Sequence, residues 1–136
     1  LSSGGNAPGA ITGWLVGAPL QLWRDHRAPA LSILLLHVAA YAILDAIVRR
    51  RLGARGRLLF AVFYWLNPWR LYHSAFVWNP NYLFFFAAVH VGALLAQREA
   101  ARWWASTLLV ASIGLAFQVH PSAILLAALA GREAER

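Results

Sequence analysis

Residues 28–48 read APALSILLLHVAAYAILDAIV, and their single formal charge, Asp45, comes near the end. A run of this length matches the roughly 20 residues that cross a ~30 Å hydrocarbon layer. It is followed at once by RRRLGARGR, residues 49–57, a basic stretch of the kind that marks the cytoplasmic side of a membrane protein. A second run, PNYLFFFAAVHVGALLA at residues 80–96, carries no formal charge when His90 is neutral.

The rest of the chain fits the same pattern. Of 136 residues, 60% are hydrophobic and 12% are charged, too little charge to coat a soluble domain. The net charge of +7 comes from Arg alone. Those arginines fall between apolar runs rather than along one soluble face, which argues against nucleic acid as a partner and for a lipid bilayer. The lack of Cys excludes a disulfide framework, a thiolate metal site and a Cys nucleophile. The expected fold is an all-α polytopic bundle of about four to five membrane segments plus a short interfacial helix.

Working outward, residues 1–9 (LSSGGNAPG) form a Gly-rich outer loop end, and residues 10–131 hold the membrane segments. Residues 10–23 are short for a span and suit an interfacial or re-entrant helix, or the end of a longer one. Spans are expected over residues 29–48, 58–67, 80–96 and 103–119. The run after Pro121 either descends as a hairpin partner or continues one kinked helix, and the hairpin is preferred. The hairpin brings the basic clusters at 49–57, 98–102 and the polar end at 132–136 to one face. Residues 68–79 and FQVHPS then share the other. With no initiator Met and an end at GREAER, the expectation is an internal fragment of a larger membrane protein.

Between the second and third spans lies WLNPWRLYHSAFVWNPNY, residues 65–82. Each Asn-Pro step suits a helix start, with Asn67 and Asn79 as caps. Trp65, Trp69, Tyr72, Trp78 and Tyr82 suit an aromatic belt at headgroup depth, and Trp103 and Trp104 suit one opposite. Arg70 and His73 are basic side chains in a connection that should be poor in them. Three residues apart on one helical face, they are placed to reach one phosphate, or else to snorkel to headgroups. His37 and His90 lie inside spans, where a His is a functional candidate or a neutral group bonded across the bundle. Two His without Cys or carboxylate make a poor metal site. Asp45, four residues before Arg49, is expected to pair with it locally.

Taken in order, GGNAPGAITGWLVGAPLQLW, a span ending in RRRLGARGRLLFA, LNPWRLYHSAFVWNPNYLFFFAAVH and GLAFQVHPSAILLA resemble bacterial glycosyltransferases of the GT-C superfamily, of the protein O-mannosyltransferase and aminoarabinose transferase type. The resemblance implies a many-span enzyme that takes a sugar from a polyprenyl-phosphate carrier and places it on an acceptor at the periplasmic face of the inner membrane. It implies a catalytic carboxylate upstream of Leu1, so that no catalytic residue falls among these residues and these alone are expected to be inactive. It implies that Arg70, His73 and His120 contact the donor phosphate, with Trp78, Asn79, Asn81 and Gln118 shaping the pocket. The resemblance carries no assignment of cofactor or metal requirement, in either direction. A second class of function, a non-catalytic membrane subunit or transporter piece whose His37 and His90 line a polar path, stands beside it.

Overall fold

The computed structural model describes residues 9–74, 76–100 and 102–128, except the side chains of 73 and 74. Its helices are α1 (Ala10–Leu22), α2 (Arg27–Arg51), α3 (Gly53–Trp65), α4 (Pro68–Ser74), α5 (Pro80–Ala100) and α6 (Trp103–Val119), followed by a 3-10 turn at Pro121–Ala123. There are no strands among the described residues.

The stretch 49–57 is mostly helix rather than loop. Arginine is a good helix former, so α2 continues through Arg51. The reversal is confined to Leu52 and Gly53, whose φ of +62° is left-handed and suits a residue without Cβ. α3 then runs back antiparallel along α2. Arg57 Nε and Nη2 donate to the Asp45 carboxylate at 2.6 and 2.7 Å, and Tyr64 Oη donates to the His37 carbonyl at 2.8 Å. Asp45 therefore bonds to Arg57 on the next helix rather than to Arg49 one turn on, because the tight turn delivers a guanidinium in the forked geometry a carboxylate prefers.

α2 and α5 lie side by side and parallel. Ile33 clusters with Tyr82 and Phe86 at one end, Gly92 meets Ile43 in the middle, and Arg51 bonds to Glu99 at 2.7 Å at the other. α6 returns antiparallel to α5, with His90 Nδ1 3.0 Å from Ser112 Oγ between them. Ser112 spends its hydroxyl proton on the Leu109 carbonyl at 2.9 Å, which leaves His90 Nδ1–H as donor to it. His90 is thus a bonded core residue, fully buried. Leu126 packs against the cluster of Ile33, Phe86 and Ala116, whereas a straight continuation of α6 would carry it ~15 Å past Ala116 at 1.5 Å per residue, so the described chain after Pro121 turns back toward the core.

Small residues make this packing possible. Ala40, Ala88, Ala93, Ala105 and Ala116 are buried, while Leu34, Leu35, Phe63, Val110 and Trp103 face outward. Outward apolar faces of this extent suit a hydrocarbon or helical neighbour. Two helices, α2 and α5, are long and apolar enough to cross a membrane; α1 and α6 are apolar but shorter. The structure thus offers fewer full-length spans than four to five. α3, with 13 residues, reaches only ~20 Å.

α1 begins and ends at the same end of the bundle. Its N-terminal neighbour Gly9 donates to the Gln118 carbonyl at 2.7 Å, beside the end of α6. Trp23, just past its C-terminus, faces Arg27 and Arg70.

Two measurements check this arrangement. Ala116→Leu should cost about 1–3 kcal/mol by overpacking, while exposed Val110→Ala should change stability by less than about 0.5 kcal/mol in denaturant titrations. In a chain without native Cys, Arg51→Cys with Glu99→Cys should be joined by a short bifunctional maleimide, whereas Arg51→Cys with Trp78→Cys should not.

Candidate functional site

The site grows from the place where α3 stops. In a continuing helix the carbonyl of Tyr64 would receive the amide hydrogen of residue 68, but Pro68 has none. Arg70 supplies the missing donor. Its Nε donates to the Tyr64 carbonyl at 2.8 Å and its Nη2 to the Trp65 carbonyl at 3.3 Å. A cation placed here also meets the negative end of the α3 dipole. The guanidinium carbon sits 4.8 Å from the Tyr64 ring centre and 4.4 Å from that of Trp65, close enough for cation–π attraction.

Asn67 Oδ1 accepts the Arg70 amide hydrogen at 3.2 Å, so the first Asn-Pro step caps α4 as its sequence suggests. At the second step the Asn79 carbonyl accepts the Tyr82 amide hydrogen at 3.1 Å and α5 begins at Pro80. Burial lowers the Arg70 guanidinium from its ordinary value, and the nearby Tyr64 opposes that. Arginine stays charged regardless.

Of the five guanidinium hydrogens of Arg70, the two bonds above account for two. Arg70 also lines a cavity of about 650 Å³ between α2, α3 and α4. Its walls are apolar, from Trp23, Leu31, Leu34, Trp65 and Leu71, and its other polar groups are Arg27 and His37. No carboxylate lines it. His37 is 2% exposed, its ring packs 4.8 Å from Phe84, and neither ring nitrogen has a hydrogen-bond partner. A buried polar group left unpaired costs free energy unless something else binds it. Two guanidiniums in an apolar, acid-free cavity favour an anion carried on an apolar body.

Other residues expected at the site do not line this cavity. His120 Nδ1 accepts the Ser122 amide hydrogen at 3.2 Å and lies 2.9 Å from Ser122 Oγ, capping the 3-10 turn. Only its Nε2 is left for a ligand. Asn81 is buried and donates to the Phe76 carbonyl at 2.8 Å, fastening the start of α5 to the preceding connection. The Gln118 side chain is exposed and only its carbonyl bonds, to Gly9 and, at 3.5 Å, to Thr12. Trp78 is exposed and Asn79 half-buried. His73 belongs to α4, and its side chain lies outside the described residues. His90, between α5 and α6, does not line the cavity that His37 lines.

The aromatic set divides likewise. Trp69, Tyr72 and Trp78 are exposed, but Tyr82 is core and Trp65 holds Arg70. Among the described residues no group of three His, Cys, Asp or Glu is placed to hold a metal ion.

Arg27 was missed by reading the 65–82 connection alone. Arg27, Ala30, Leu34 and His37 recur at i, i+3, i+7 and i+10, one helical stripe, and that spacing was the available signal. No protein-family model, curated protein or solved structure matches the chain.

Arg70→Ala should lower stability by about 1–3 kcal/mol by orphaning two carbonyls, and Tyr64→Phe by about 0.5–1.5 kcal/mol by losing its bond to His37. Unfolding of the purified variants in micelles measures both.

Proposed function

We propose that the chain is part of a bacterial inner-membrane glycosyltransferase that moves a sugar from a polyprenyl-phosphate donor to an acceptor at the periplasmic face. In this arrangement the basic stretches 49–57 and 98–102 are cytoplasmic, residues 68–79 are periplasmic, and several apolar helices besides α2 and α5 sit in the bilayer. The observation that carries the proposal is the apolar cavity whose polar groups are Arg27, Arg70 and His37. Displacing a sugar from its carrier leaves a phosphate whose growing negative charge is stabilised by fixed cations shielded from water. Arg70, seated on the end of α3, is such a cation.

Within this proposal Arg70 and Arg27 hold the donor phosphate, and His73, three residues after Arg70 in α4, is assigned to the same phosphate-contacting set. His120, Trp78, Asn79, Asn81 and Gln118 shape the surrounding end of the bundle rather than the cavity. No carboxylate among these residues is assigned the catalytic role.

The test is transfer from a polyprenyl-phosphate-linked sugar by the full-length protein in membranes. Arg70→Lys keeps a charge but not the fork, and Arg27→Gln removes an exposed charge; each should lower transfer about tenfold or more, equivalent to one charge-assisted contact. His37→Leu removes two buried, unpaired nitrogens, so it should leave stability unchanged or higher. Full transfer in both arginine variants would overturn the proposal.

A further inference from the structure

At the opposite end of the bundle, we propose that the cleft between α2 and α5 binds the headgroup of an anionic phospholipid, with Arg50 as its principal ligand. The cleft follows from small residues. A Cβ placed on Gly92 would lie 3.4 Å from Ile43 Cγ2, so the two helices are in contact there. One to two turns on, Ala46 and Ala96 are too small to fill the space between them, and a cleft of about 170 Å³ remains. Its floor is apolar, from Ala46, Ile47, Leu95 and Ala96, and its rim is charged, from Arg50, Arg51 and Glu99.

The charges at this rim are not balanced. Arg51 bonds to Glu99 at 2.7 Å and Arg57 to Asp45 at 2.6 Å, which uses both carboxylates at this end among the described residues. Arg50 lines the cleft and has neither an ion pair nor a side-chain hydrogen bond among the described residues. Arg49, Arg55, Arg98 and Arg102 add to the positive field. An anion with forked oxygens, such as a phosphodiester, matches the free guanidinium of Arg50.

Position distinguishes a lipid from a dissolved anion. The cleft opens between the two helices long and apolar enough to cross a bilayer, and at the same end of both. A bound phosphodiester there sits at headgroup depth, with apolar helix faces running away from it to receive acyl chains. The inference rests on the membrane placement of α2 and α5 and not on sugar transfer.

The test uses the full-length protein in neutral detergent, titrated with phosphatidylglycerol, phosphatidylcholine or soluble glycerol phosphate, with bound lipid counted by native mass spectrometry. Phosphatidylglycerol should bind about tenfold more tightly than phosphatidylcholine, and Arg50→Gln should remove that preference. Arg55→Gln, which removes the same charge away from the cleft, should keep it within about twofold. Ala46→Leu fills the cleft without changing charge and should weaken binding as much as Arg50→Gln.

Equal binding of both lipids overturns the proposal, as does an equal loss in the two arginine variants, which would mean diffuse attraction only. Full competition by glycerol phosphate overturns it in favour of a free-anion site. Failure of every phospholipid to bind would overturn the membrane placement as well, whereas binding without headgroup preference would leave that placement standing.

Discussion

The parallel packing of α2 against α5 constrains everything else in the bundle. Two parallel helices cannot be joined by a tight turn, because the chain leaves the first at the wrong end to enter the second. α3 makes the return journey, but with 13 residues it extends ~20 Å against ~37 Å for the 25 residues of α2. The shortfall is covered by α4 and the connection around it, which holds two Asn-Pro steps. Proline's missing amide hydrogen at position 68 then creates the need that Arg70 meets.

A single side chain therefore has both a structural and a chemical part. The guanidinium closes the end of α3 and packs on two rings, which fixes its position before any ligand arrives. A charge already held in place costs little reorganisation when an anion binds. The same seat makes Arg70 a poor subject for truncation alone, since removing it disturbs the helix end along with the cavity. Arg27 and His37, which approach from α2, are free of that double duty.

Much of the fold was legible in the sequence because it depends on short-range chemistry. α6 begins at Trp103 and ends at Val119 as its apolar run indicates, and Asn67 caps the helix that Pro68 begins. Both basic clusters within the described residues lie at one end, joined by Arg51 and Glu99. The misreadings arise where distant residues decide the outcome. By spacing Asp45 is a partner for Arg49, but the reversal at Leu52 and Gly53 brings the Arg57 guanidinium to it as a fork. Arg70 was legible as an unusual cation, yet its seat on α3 and its company with Arg27 and His37 require the return of the chain. His120 and Asn81 are absorbed by local caps and ties, which a list of polar residues near prolines does not reveal.

The course of α1 sets it apart from the other helices. Because its two ends meet the same end of the bundle, it adds nothing to the alternation of direction that α2, α3, α5 and α6 carry. The relative direction of each later helix is set from α2 onward, by the reversal at Leu52 and Gly53 and by the pairing of α5 with α6. α1 is a brace on that arrangement and not a step in it.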